Sequence, residues 1–283
     1  EQIKLSLLNE TLLHADETVL EVLHELGKEA GSKSYVWVYR TSHYNTHPAV
    51  VYEYTIGRSG DYAKEFLADW NGTYLHCDGY VGYKKLVGKT LCGCLVHAKR
   101  KFHEAYEINK SNEYAKQGET YLRKLFQLET KADEAELSLR ERLEMRQTKS
   151  KQVLDEFYSW ISQIESKILP KSLIGKAITY AINQKEYLEN FLKDGRIQLS
   201  NNLITQSVKP FVIGRSNWLF ANTPNGANAS TMIYSIIQSA ILNNLIPQKY
   251  LTFVFDIIQS GRDASSLVPW SDEIPESCKN KKS

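Results

Sequence analysis

Asp16 closes a strand-like run, Leu12-Leu13-His14-Ala15, and Asp78 closes another, Thr73-Tyr74-Leu75-His76-Cys77. Carboxylates held by rigid strands are what a hard divalent cation such as Mg²⁺ needs, and a pair of them can serve phosphoryl transfer. The same placement also has a plainer use, because an aspartate after a strand often only caps the next turn. A site of this kind normally takes a third carboxylate. From Gly195 to Phe255 the chain has neither aspartate nor glutamate; Glu189 and Asp194 lie upstream of that stretch and Asp256 follows it.

Other residues could handle a polyanion. Lys99-Arg100-Lys101 fans round a helix, so that one or two cations can reach phosphates while another stays solvated. Arg40, Arg58, Lys209 and Arg215 are further candidate phosphate contacts. Trp218 and Phe220 suit either stacking on a flipped base or core packing, and packing is the commoner fate of such rings. Cys94 and His97 sit three apart with Cys92 nearby, but a zinc site usually takes four ligands and no second Cys/His pair has suitable spacing. A buried thiol and a capping or DNA-facing imidazole are the expectation there.

Composition frames these candidates. With 42% hydrophobic and 24% charged residues over 283 positions, the chain can bury a sizeable core. A net charge of +2 puts any nucleic-acid binding on local basic patches. No run of eighteen apolar residues marks a membrane span. Four cysteines, three in or beside core strands, suit reduced thiols in a cytoplasmic protein. The start, Glu1-Gln2-Ile3-Lys4, has neither signal-peptide anatomy nor an initiator Met, and reads as a fragment of a longer chain.

The elements that must position these residues follow from periodicity. Residues 34–40 and 49–54 are β-branched and aromatic strands joined by a polar turn as a hairpin. A helix over 61–70 precedes the Asp78 strand, and residues 90–96 form the last strand. From Val96 the texture is that of long amphipathic helices, with no proline between Pro48 and Pro170. Ser200-Asn201-Asn202 offers caps for a helix that Pro210 is expected to stop or kink. Residues 214–226 read as a loop, 229–243 as a helix and Pro247 as the start of another. The polar tail after Ser260 is expected to fray, apart from a docking segment at Leu267-Val268-Pro269-Trp270.

Several segments together resemble the insertion-sequence sixty-six transposases. They are His14-Ala15-Asp16-Glu17-Thr18, Tyr35-Val36-Trp37-Val38-Tyr39-Arg40-Thr41, Arg58-Ser59-Gly60 and Asp78-Gly79-Tyr80-Val81-Gly82-Tyr83. After these come Gly93-Cys94-Leu95-Val96-His97-Ala98-Lys99-Arg100-Lys101-Phe102, Asn201-Asn202, Lys209-Pro210-Phe211-Val212-Ile213-Gly214-Arg215, Asn217-Trp218-Leu219-Phe220 and Ile233-Tyr234-Ser235. They run in the family's order over nearly the whole chain.

The resemblance implies an α/β fold, a ribonuclease-H-like core with a mixed five-stranded sheet, interrupted by a helical insertion. Its parts would be residues 1–96 and 195–260 of the core, 97–194 of the insertion and 261–283 as tail. It also implies a DDE-type transposase that uses Mg²⁺ or Mn²⁺ to cleave and transfer DNA strands, with Asp16 and Asp78 as the first two acids. Double-stranded DNA, as element ends and target, would be the partner, with homo-oligomers at synapsis and accessory proteins of the element.

The chain departs from the family at one decisive place. Members read Asn-Asn-x-Ala-Glu-Arg, whereas here Asn201-Asn202-Leu203-Ile204-Thr205-Gln206 puts Thr205 where the catalytic glutamate belongs and Gln206 where the arginine does. A hydroxyl supplies no negative charge, so an impaired enzyme is expected. The alternatives are a catalytically inactive, transposase-derived DNA-binding protein and a ribonuclease-H-like nuclease with another substrate.

Overall fold

The structure, a computed structural model, describes residues 1–29 and 31–280, so the last three residues of the expected 261–283 tail lie outside the described part. Five strands, β1 (Leu12–Glu21), β2 (Lys33–Thr41), β3 (Val50–Thr55), β4 (Tyr74–His76) and β5 (Thr90–Cys92), form one mixed sheet in the order β3-β2-β1-β4-β5. β1, β2 and β3 pair antiparallel, and β4 pairs parallel with β5. Helices α1 (Gln2–Leu8) and α2 (Gly60–Phe66) belong to the first third. The middle carries α3 (Leu95–Ile108), α4 (Glu113–Glu134), α5 (Leu139–Met145), α6 (Lys151–Ile164), α7 (Leu173–Asn183) and α8 (Lys185–Leu188). The last part holds α9 (Asn202–Trp218), α10 (Pro224–Leu242) and α11 (Pro247–Gln259). The fold class is therefore α/β.

The chain divides into two compact units, one of Glu1–Thr73, Val81–Lys89 and Asn202–Ser283, the other of Tyr74–Tyr80 and Thr90–Asn201.

In the first unit the two-residue period of the strands sorts side chains onto two faces. Leu20, Val36, Val38, Val50, Tyr52 and Tyr54 pack against Ile204, Val208 and Phe211 of α9 and Ala227 of α10. On the other face Tyr39 stacks on Phe66 of α2, with ring centroids 3.9 Å apart. β3 is an edge strand, and an open edge invites pairing with another chain. Here α10 closes it. Ser239 Oγ accepts from Val50 N at 3.1 Å and donates to Val50 O at 3.0 Å, while Ser235 Oγ accepts from Tyr52 N at 2.8 Å. The two serines, four apart, lie on one helix face.

Pro210 does not end its helix. α9 runs through it to Trp218 and α10 starts at Pro224, so only residues 219–223 of the expected 214–226 loop are not helical. Proline removes one N–H from the helical ladder, but β2 and β3 engage the carbonyls and core residues on either side. Arg40 Nη1 donates to Leu203 O at 2.8 Å, the Tyr52 hydroxyl donates to Ser207 O, and Val208 and Phe211 are buried. The tail also packs further than its polarity suggests. Leu267, Ile274 and Cys278 join Tyr250 and Ile257 of α11 in a second core cluster.

In the second unit α3 and α4 approach closely because Gly118 carries no side chain. A Cβ there would sit 2.3 Å from the Phe102 ring. Phe102, Phe157 and Trp160 then form an aromatic centre. A π-helical turn, Arg146–Ser150, joins α5 to α6 and turns the Arg146 side chain fully inward.

Candidate functional site

Asp16 lies within β1, opposite Val38 of β2, and its Oδ1 accepts from Glu17 N at 2.9 Å. It shares a strand face with Thr18 and Leu20, the face on which Leu20 packs against α9. Thr205 is on the exposed side of the first turns of α9. Glu17, the adjacent acid, points to the opposite face and is already committed. Its Oε1 accepts from Arg58 Nε at 2.8 Å and Nη2 at 2.5 Å, and its Oε2 accepts from the Tyr83 hydroxyl at 2.8 Å. Glu17 is therefore engaged in that ion pair and hydrogen bond on the face away from Thr205.

The cations of this unit divide into spent and available. Arg40 uses Nη1 on Leu203 O and Ser207 Oγ, and Arg215 donates to Thr18 Oγ1 at 3.0 Å and to Val19 O. Both brace α9 against the sheet. Arg58 is held by Glu17 with its side chain 43% exposed, so part of the guanidinium still meets solvent. Lys209 is exposed on α9. Trp218 packs edge-on against Phe211, with centroids 5.4 Å apart, which is the core role for that ring. Phe220 remains 42% exposed.

In the second unit Asp78 follows β4 and its Oδ1 accepts from Tyr80 N at 2.8 Å, a turn-capping bond. Gly79 lies so close to Gln184, just after α7, that a Cβ would sit 3.2 Å from the amide. Tyr180, one turn earlier on α7, lies under the Lys101 ammonium, 5.0 Å from the ring centroid. Burial raises the Tyr180 phenol, and the charges of Cys94 and Asp78 add to that. Burial and Arg100 lower the His97 imidazole, with Asp78 pulling the other way. Asp78 is thus near enough to both rings for its charge to be felt. Lys99 points elsewhere, with Nζ 5.8 Å from the Phe126 ring centroid on α4. Cys94 is a buried thiol at the start of α3. Its Sγ accepts from Asn201 N at 3.2 Å, and burial pushes the thiol up.

The donor chemistry does not fit a full divalent-metal set. Among the described residues no three His, Cys, Asp or Glu side chains are grouped to hold a metal ion. Thr205 offers only a neutral hydroxyl, a weaker ligand for a hard cation than a carboxylate.

Glu53 escaped the sequence reading because it sits inside an ordinary β-branched and aromatic run. It borders a cleft of about 540 Å³ lined also by Lys4, Phe66 and Thr231. Its Oε2 is buried without a hydrogen-bond partner among the described residues, and burial raises the carboxyl to about 7, against the pull of Lys4. The folded chain therefore holds this proton more tightly than the unfolded chain does. Stability should be full below the unfolded carboxyl's range and fall as pH rises from about 4.5 to about 7, by up to about 3 kcal/mol. Urea midpoints at pH 5 and pH 8 should show that loss, and Glu53→Gln should flatten it. An unchanged pH dependence in the variant would refute the assignment.

Comparison with known proteins gives a consistent picture. The family model described as "Transposase IS66 family" matches residues 1–229. The uncharacterized protein y4qI of Sinorhizobium fredii (strain NBRC 101917 / NGR234) is 30% identical over 274 residues, covering 91% of this chain and 50% of its own length. The uncharacterized protein y4hP of the same strain is 28% identical over 282 residues, with the same two coverages. A third relative, y4jD, is 31% identical over 237 residues, 79% of this chain and 46% of its own. The chain thus spans about half the length of these relatives. No solved structure matches it.

Proposed function

The chain belongs to the IS66 family of transposases, and from that premise we propose that it is the DNA-handling catalytic region of such an enzyme, impaired by loss of its third acid. Family membership over residues 1–229 carries this reading. The strand order β3-β2-β1-β4-β5 supports a ribonuclease-H-like core. Asp16 and Asp78 occupy the positions of the first two acids, and Thr205 the position of the third. In-line attack by water or a DNA 3′-hydroxyl on a phosphodiester needs the charge of the reacting phosphate offset as it develops. With a hydroxyl at 205 that capacity is reduced, so DNA binding outlasts efficient cleavage. The acid-free stretch from Gly195 to Phe255 favours the further reading of a DNA-binding protein without chemistry.

Cleavage of duplexes carrying the element's own ends, in Mg²⁺ or Mn²⁺, tests this. Tight, salt-dependent binding with slow or undetectable cutting is expected. Robust turnover that Asp78→Ala abolishes would overturn the impairment. Absence of DNA binding would overturn the family-based function for this chain. Activity on an RNA–DNA hybrid but not on element ends would instead point to a nuclease with another substrate. Among the described residues no helix is long and apolar enough to cross a membrane.

A further inference from the structure

The helix face beside Asp78 carries more donors than the second unit uses. His97, Arg100 and Lys101 lie at i, i+3 and i+4 on α3 and therefore share one face. Lys101 Nζ sits 5.0 Å from the Tyr180 ring centroid, which brings α7 to that face. Gln184, four residues beyond Tyr180, is held against Gly79, directly after Asp78. Among the described residues the Tyr180 hydroxyl, the His97 ring, the Arg100 guanidinium and the Lys101 ammonium have no hydrogen-bond or ion-pair partner. His97, Lys101 and Tyr180 are partly withdrawn from water, where polar groups normally find partners within the fold, while Arg100 is exposed. These four converge, and with Asp78 they sum to one excess positive charge.

We propose that Tyr180, Lys101, Arg100 and His97 form a phosphate subsite that grips one phosphodiester of a DNA strand beside Asp78. This rests on the transposase reading and names which groups hold the strand. Tyr180 and Lys101 are positioning residues. The hydroxyl donates to a non-bridging oxygen, and the ammonium, held over the ring face, neutralises the same phosphate. Lys99, turned toward α4, takes no part.

The test uses the whole chain, a fluorescein-labelled 20-base-pair duplex, and fluorescence anisotropy in EDTA across a salt series, so that catalysis plays no part. Tyr180→Phe keeps the ring and should weaken binding about fivefold, the worth of one hydrogen bond. Lys101→Gln should weaken it about tenfold at low salt. It should also reduce the slope of log affinity against log salt by about 0.9, as one phosphate contact is lost. Lys101→Arg should restore that slope. Thermal midpoints check that each variant is folded. If folded Tyr180→Phe and Lys101→Gln bind with parental affinity and slope, the subsite is overturned and the transposase reading stands. If the parent chain binds no duplex, both fall.

Discussion

Thr205→Glu is expected to raise DNA strand cleavage about 10²-fold over the parent chain, the scale on which a single well-placed charge-stabilising group acts in a transition state. The reason is local. Position 205 is exposed in the first turns of α9, so a longer side chain can extend into solvent. Glutamate is a good helix former, and near a helix N-terminus its charge is favourable, so the substitution should leave stability within about 1 kcal/mol. On the proposed reading, the family's three acid positions would then all carry carboxylates, where the parent chain has a hydroxyl at the third. Two measurements check it. Cleavage of element-end DNA in Mn²⁺ should rise, and Asp78→Ala in the same background should return it to the parental level. Divalent-cation binding by calorimetry should tighten in Thr205→Glu without DNA present. A folded, DNA-binding Thr205→Glu with no gain in either would mean that more than one ligand has been lost.

The largest stability effect is expected at Arg146. Its side chain is 2% exposed, and its Nε and Nη2 donate to the two Glu129 oxygens at 2.8 and 2.7 Å. Its Nη1 reaches the carbonyls of Asp194 at 2.9 Å and of Phe191 and Gly195 at 3.3 Å. One guanidinium thus ties α4 to the segment leaving α8. The π-helical turn is what points it there. Arg146→Ala leaves the Glu129 carboxylate and three carbonyls short of a donor in a site that excludes water, and should cost about 3–5 kcal/mol. Arg142 also donates to Glu129 Oε2, at 2.8 Å, which keeps the loss below that of an isolated buried charge. Lysine cannot reproduce the fork, so Arg146→Lys should recover only part. Urea unfolding followed by circular dichroism reads both, and a loss under 1 kcal/mol in Arg146→Ala would refute the account.

Much of this was legible in the residues. The alternation in 34–40 and 49–54 is β2 and β3, and the expected helix over 61–70, Asp78 strand and last strand from Thr90 recur as α2, β4 and β5. Pro247 begins α11 as its missing N–H allows at a first turn. The docking of Leu267 and the core role of Trp218 were within reach of simple hydrophobicity. Pro210 misled because local backbone chemistry argues for a stop, while the Arg40 and Tyr52 donors that steady that helix come from strands over 150 residues away in sequence. Glu53 and Tyr180 were invisible for a similar reason. Nothing in a strand or helix pattern marks a carboxyl or phenol whose partners are missing.

Kinship could be read from the residues alone, as could the absence of acids from a long C-terminal stretch. Motif order identifies the family, and no packing can supply a carboxylate that the chain lacks between Gly195 and Phe255. Which cations are committed within the fold was set by the tertiary structure. Arg40 and Arg215 look as eligible as Lys101 in one dimension, yet each commits its Nη1 group to carbonyls and hydroxyls on distant elements. Lys101 keeps its charge available over the Tyr180 ring. Whether a charge is free depends on who its neighbours are, and long-range folding alone sets that.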